Sequence, residues 1–203
     1  MPRCSSITTW RSSLVALIAL LALAGCSPGG PKFRGSDITG VDYGKDFALT
    51  DQNGRQRHLQ DLRGKVVVLL FGYTHCPDVC PTTLAAFAQV MRQLGADAER
   101  VQVLFATLDP QRDTQAVLAR YVPAFDPRIL GLYGDGAATR RTAKEFRIFY
   151  QKVPGQTPGD YTLDHNSQSY VFDTRGRLRL LERASDIVAA LPHDIRALLK
   201  ENG

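Results

Sequence analysis

The apolar positions fall into two alternating patterns along most of the chain. Val66 to Phe71 is an unbroken β-branched and apolar run, and Val101 to Asp109, "VQVLFATLD", is a second, mainly apolar stretch. Runs of this kind fit strands buried on both faces of a sheet. Between them, Leu84, Phe87, Val90, Met91 and Leu94 recur at helical spacing over Pro81–Leu94, with Pro81 in the first turn, where its missing N–H is not needed. A helix from about Thr114 to Tyr121 stops before Pro123, "ILGLYG" reads as a short strand, and "AATRRTAKEFRI" reads as a helix. "SQSYVFDTRGRLRLL" is a hairpin about Thr174-Arg175-Gly176, and a last helix starts with Pro192 at its first position and turns Ile195, Leu198 and Leu199 inward. Ala184–Leu191 fits a loop or a short helical turn equally. Nearer the start, Asn53-Gly54 predicts a two-residue hairpin turn with positive φ at both positions, and His58 lies on its second arm as a surface residue. Strands alternating with helices and closing in an antiparallel hairpin predict one mixed, mainly wound α/β domain.

The first residues follow a different logic. Arg3 and Arg11 precede the apolar run "LVALIALLALA", which ends in "GCSPGG". A positive start followed by an apolar run of about 7–15 residues is a secretory signal. Small residues before Cys26 resemble the lipobox of bacterial lipoproteins, in which cleavage leaves the lipid on the cysteine. The expected organisation is a removed signal over 1–25 containing Cys4, a Gly/Pro/Ser-rich tether over 26–42 from lipidated Cys26, and a folded domain over 43–203. Removing Arg3 and Arg11 lowers the formal charge from +5 to +3, with the basic residues scattered among acids and no aromatic interleaving. That pattern argues against nucleic-acid binding.

On this reading Cys76 and Cys80 are the only free thiols of the mature chain, and they face an oxidising compartment. They sit in "GYTHCPDVCP", each followed by proline, between the first central strand and its helix: a thioredoxin-like placement. A helix N-terminus favours thiolate, which is both the nucleophile and the soft metal ligand. The spacing admits a disulfide, a metal clamp or two inert buried cysteines. A metal needs a further ligand, and in such a topology the loop entering the last hairpin comes near the cysteine loop. It carries His165 in "LDHN", otherwise a surface histidine. Two thiolates and an imidazole suit copper as Cu(I) or Cu(II), whereas structural zinc normally takes four protein ligands. His75, adjacent to Cys76, reads as a loop or surface group pointing away from it.

"FGYTHCPDVCPTTL", "LDPQRDT", "YVPAFDPRILGLYG" and "YTLDHNSQSYVFDTRG" together resemble the Sco/SenC copper chaperones, over about Asp46 to Leu181. The resemblance implies a thioredoxin-like single domain with a mixed central sheet flanked by helices. It implies copper ligation by Cys76, Cys80 and His165, and assembly of the copper A centre of cytochrome c oxidase. Asp109, Asp113 and Asp164 are implied as supporting residues, with Arg112 beside them; capping and local ion pairing is the plainer reading of Arg112 and Asp113. Implied partners are apo cytochrome c oxidase subunit II, other copper chaperones or thiol reductants, and a membrane reached through the lipid on Cys26, with the domain outside the cytoplasm. Many relatives use a transmembrane helix instead, and Phe105-Ala106-Thr107 departs in detail from the bulkier or Ser-containing run of many relatives. The alternative is a thiol–disulfide oxidoreductase in which Cys76 attacks and Cys80 resolves. A peroxidase-like reading is weaker, because Thr74 stands two residues before Cys76 rather than three.

Overall fold

The sheet is organised around its most apolar strand. In the computed structural model, which describes residues 30–201, the strands are β1 (Ser36–Asp37), β2 (Leu49–Asp51), β3 (Gln56–Arg57), β4 (Val66–Gly72), β5 (Val101–Thr107), β6 (Leu130–Tyr133), β7 (Tyr150–Pro154), β8 (Tyr161–His165), β9 (Ser169–Phe172) and β10 (Leu178–Glu182). The helices are α1 (Val79–Leu94), α2 (Gln115–Tyr121), α3 (Gly136–Glu145) and α4 (Ile187–Glu201). Every residue of β4 is buried, as its unbroken apolar run requires. Eight strands form one sheet in the order β1-β10-β9-β4-β5-β6-β2-β3. β4, β5 and β6 are parallel, and the flanking strands pair antiparallel. This is the mixed central sheet with flanking helices that the sequence predicts. The signal segment, Cys4 and Cys26 lie outside the described residues. Among the described residues no helix is long and apolar enough to cross a membrane.

Several elements depart from expectation for identifiable reasons. The first hairpin turns through three residues, not two. Asp51 O accepts from Gly54 N and Asp51 N donates to Arg55 O, and only Gly54 has positive φ there. The buried Asp51 carboxylate decides this, accepting from Asn53 N, Arg55 N and Arg57 Nε. Asp173 builds the β9–β10 turn in the same way through Arg175 N, Arg177 N and Arg177 Nε. Side-chain bonding of this kind lets aspartate replace backbone in a turn. His58 is not on a strand but precedes a short 3₁₀ turn over Leu59–Leu62.

The last helix begins at Ile187, so Pro192 lies inside it rather than at its start. An interior proline costs about 3 kcal/mol. Ile187 and Leu191, both fully buried, recover about 1.5–3 kcal/mol each, which is enough to extend the helix through the proline. Arg34 to Ile38, inside the stretch read as tether, are hydrogen-bonded to the body: Arg34 N and Gly35 N donate to Asp194, and Ser36–Asp37 pairs with β10. The sequence reading also has no counterpart of the β7–β8 hairpin, which forms a separate two-stranded sheet.

Asp194 faces a second buried acid, Glu182 at the end of β10, whose carboxyl receives no hydrogen bond from any N–H or hydroxyl among the described residues and can only share a proton with Asp194. Burial, and then the charge of Asp194, push the Glu182 carboxyl up to about 8 from an ordinary 4.5. An acid whose pKa is raised by folding stabilises the fold while protonated, and that contribution is lost as pH rises from about 4.5 through 8. Glu182→Gln is expected to flatten the stability profile over this window. At pH 8 it should raise the unfolding free energy by about 1–3 kcal/mol, the scale of an unsatisfied buried group, read from urea melts at several pH values.

Candidate metal centre

The site forms where β4 and β5 end side by side. Gly72 and Thr107 are register partners at these ends, and Leu108 N donates to Gly72 O at 2.7 Å. The carboxyl ends of parallel strands, where neighbouring connections diverge, are the usual ligand position of α/β sheets. From β4 the chain passes through Tyr73, Thr74 and His75 to Cys76. α1 starts at Val79, two residues earlier than expected, so Cys80 lies in its first turn. Gly72 is required here: a Cβ on it would stand 2.8 Å from Cys80 Sγ and 2.8 Å from the Phe105 ring.

The two thiols are unlike. Both are free, Cys76 half-buried and Cys80 buried. Cys80 N donates to Cys76 Sγ at 3.4 Å, so the first turn of α1 is tied to that sulfur. Burial pushes the Cys80 thiol up to about 12, with the Cys76 and Asp113 charges adding to it and the Tyr73 backbone amide opposing it. This corrects the expectation that the helix N-terminus holds both cysteines as thiolates: at Cys80 desolvation outweighs the helix dipole.

His165 reaches this pair from the end of β8 rather than from a loop. Its Nε2 stands 3.9 Å from Cys80 Sγ. Its Nδ1 lies 2.7 Å from Asn166 O; a carbonyl only accepts, so Nδ1 carries the proton and the Nε2 lone pair faces the sulfur. The Tyr73 ring packs edge-on to the imidazole with centroids 6.1 Å apart. Among the described residues no three His, Cys, Asp or Glu side chains already stand around one point as a metal-holding group. What is preassembled is the Cys80–His165 pair, with Cys76 one turn away across the Cys80 amide.

The supporting acids separate. Asp113 is buried and accepts from Thr74 N at 2.9 Å, Thr74 Oγ1 at 2.5 Å and Thr107 Oγ1 at 2.6 Å, so it ties the cysteine loop to the end of β5. Asp109, also buried, accepts from Arg112 Nε and from the Tyr161 hydroxyl at 2.8 Å. Asp164 is exposed on β8, one residue out of step with Leu163 and His165, and so is directed to the other face of the strand. His75 is mostly exposed, its Nδ1 3.2 Å from Thr74 Oγ1 and 3.8 Å from Asp113. Gly72, Tyr73, Thr74, Thr107 and Tyr161 escaped the sequence reading. Only Tyr161 carried a signal, the alternation in "YTLDH" that puts Tyr161, Leu163 and His165 on one strand face.

A mixed sheet of this order, with a cysteine pair between its central strand and the following helix, defines a thioredoxin-like domain. The chain belongs to the SCO1/SenC family, whose model matches residues 36–200. A mitochondrial SCO2 homologue of Bos taurus is 40% identical over 164 residues, 76% of this chain and 62% of that protein. This chain spans between 52% and 62% of the length of three such mammalian relatives. Among solved structures, Bradyrhizobium japonicum ScoI with copper bound is 40% identical with a TM-score of 0.70, covering 78% of this chain and 98% of that one. Apo Sco1 from Thermus thermophilus is 41% identical with a TM-score of 0.74, covering 83% and 98%.

Asp113→Ala leaves three donors, one of them buried and two half-buried, without their acceptor. It is expected to destabilise the fold by about 2–4 kcal/mol in urea melts and to speed hydrogen exchange at the Thr74 amide. An unchanged Thr74 exchange rate would show that Asp113 does not hold the cysteine loop.

Proposed function

We propose that this chain is an envelope metallochaperone that binds copper through Cys76, Cys80 and His165 and helps load the copper A site of cytochrome c oxidase. The observation that carries the reading is the Nε2 lone pair of His165, tautomer-fixed by Asn166 O and 3.9 Å from Cys80 Sγ. Two sulfurs and one imidazole nitrogen form a soft set suited to Cu(I) and still acceptable to Cu(II). The copper-bound Bradyrhizobium relative supports copper as the cargo. Because the Cys80 thiol is protonated at neutral pH, loading displaces its proton, and both cysteines must be reduced beforehand. Delivery is ligand exchange: thiolates of an apo cytochrome c oxidase subunit II replace Cys76 first, since it is the more exposed ligand, then Cys80 and His165. Other copper chaperones supply the ion and thiol reductants keep the pair open. Asp113 and Asp109 act behind the ligands by holding the loops that carry them. Asp164 has no such contact to support a role.

A second reading is favoured by the half-exposed and buried placement of the two thiols. A Cys76 thiolate attacks a disulfide in the target's copper site and forms a mixed disulfide. Cys80, after losing its proton, closes the Cys76–Cys80 disulfide and leaves the target with two thiols. A thiol reductant then reopens the pair. Lipid on Cys26 would hold the domain, which is hydrogen-bonded to its body from Arg34 onward, outside the cytoplasm once the 1–25 signal is removed.

Anaerobic titration of the reduced full chain in detergent is expected to give one tightly bound copper per chain. His165→Ala should weaken binding by about 100-fold or more, since even residues behind a metal ligand are worth 10–100-fold. If His165→Ala binds as tightly as the parent while reduction of an oxidised target peptide requires only the cysteines, the oxidoreductase reading replaces the chaperone. Growth with a labelled lipid precursor should mark the parent protein and leave Cys26→Ser unlabelled; label on Cys26→Ser would remove the anchor from the proposal.

A further inference from the structure

The β7–β8 hairpin shares no strand pairing with the main sheet, yet its last residue is His165. A two-stranded hairpin alone in water is marginal, so its position has to come from side-chain contacts. On the inner side, Leu163 is buried and Tyr161 packs against the core. Apart from a hydrogen bond between the Leu163 backbone and the Tyr73 hydroxyl, the polar contacts to the body gather on one short segment, the 109–112 turn after β5. Tyr161 donates its hydroxyl to the buried Asp109 at 2.8 Å. Arg112 binds both sides of the gap: Nε to Asp109 Oδ2, and Nη1 to the Tyr161 backbone oxygen at 2.9 Å. Its guanidinium also lies 3.6 Å from the Tyr161 ring centroid and 5.9 Å from that of Tyr73, the ring that packs on His165. Lys152 of β7 adds a contact to Gln111 at 2.6 Å.

We propose that Arg112 and Tyr161 form a clasp that positions His165, closing the β7–β8 hairpin onto the cysteine loop so that the imidazole nitrogen meets the Cys80 sulfur. Arg112 is suited to this because its planar fork satisfies a carboxylate and a carbonyl while its face stacks on an aromatic ring; lysine offers a point charge and no such plane. Asp109 and Asp113, four residues apart, then anchor the two halves of the site separately: Asp113 the thiols through Thr74, Asp109 the imidazole through Arg112 and Tyr161. The clasp concerns the metal-free geometry. Its value for copper rests on the proposed function, and the two are tested apart.

The metal-free full chain, reduced and in detergent, is compared with Arg112→Met and Tyr161→Phe by nuclear Overhauser contacts between the Tyr73 and His165 rings. Arg112→Met is expected to lose that contact, and Tyr161→Phe, which keeps the ring and removes only the hydroxyl, to weaken it. Melting curves recorded alongside separate a general loss of stability from the local effect. Contacts of parental strength in both variants would overturn the clasp, as would lowered melting temperatures with the contact intact. Tyr161→Phe alone decides the matter if Arg112→Met does not fold. With Cu(II) added, Arg112→Met should keep one copper per chain, lose the nitrogen splitting in the electron paramagnetic resonance spectrum that depends on His165, and bind about tenfold more weakly. A parent spectrum identical to that of His165→Ala would refute the copper reading and leave the clasp standing on the metal-free contact.

Discussion

The site depends on a charge buried at the ends of two parallel strands. The Asp113 carboxylate is out of water and has no cation against it at hydrogen-bond distance; it is held by Thr74 N, Thr74 Oγ1 and Thr107 Oγ1. A buried ion is tolerable only when such donors replace its water. The requirement runs in both directions. The carboxylate needs both threonines in place, and the backbone between Gly72 and Cys76 has no freedom while Thr74 is held at both its amide and its hydroxyl. Strand pairing has already brought Gly72 and Thr107 into register, so the polar lock adds direction to a junction that apolar burial creates.

Packing behind that lock sets the chemistry of the sulfurs. Cys80 Sγ lies against Gly72 and Phe105 so closely that one methyl group would collide with it. Tight apolar packing raises the thiol's pKa, while Cys76, one turn earlier and half-exposed, receives an amide hydrogen bond. Two cysteines four residues apart thus become an accessible sulfur and a sheltered one. The same difference would suit either proposed role: metal transfer, in which the accessible ligand exchanges first, or disulfide exchange, in which it attacks first.

What could be read in the sequence is what periodicity and proximity encode. β4, β5 and α1 follow from apolar runs and helical spacing, and the cysteine pair lies where a strand hands over to a helix. The approach of His165 was anticipated from topology, although its strand was not. The hairpin that carries it escaped because Pro154, Gly155, Pro158 and Gly159 read as loop, and because residues 151–160 are exposed and give no buried face to detect. α4 starts before Pro192, the residue at which the first-turn preference of proline would begin it, because the apolar period through Ile187 and Leu191 outweighs that local rule. The three-residue turn at Gln52–Gly54 differs from the two-residue turn that Asn-Gly alone predicts because the Asp51 carboxylate takes the Asn53 and Arg55 amides. Asp173 repeats that pattern in "DTRG", so the signal is a D-x-x-G spacing whose carboxylate collects the amides beyond it.

A hairpin outside the main sheet has a further consequence for how the site is held together. The thiols stand on elements fixed by strand register and by α1, which packs along α4. The imidazole stands on a hairpin outside that pairing, held to the main sheet by side chains and by the 166–168 link into β9. Backbone pairing across a sheet is lost only with the fold, whereas a contact made of one arginine, one tyrosine and one aspartate can open while the rest stays intact. The two halves of the candidate ligand set are therefore attached with unequal strength. An opening of the site in the native state is expected to move His165 away from the cysteines more readily than it moves the cysteines apart.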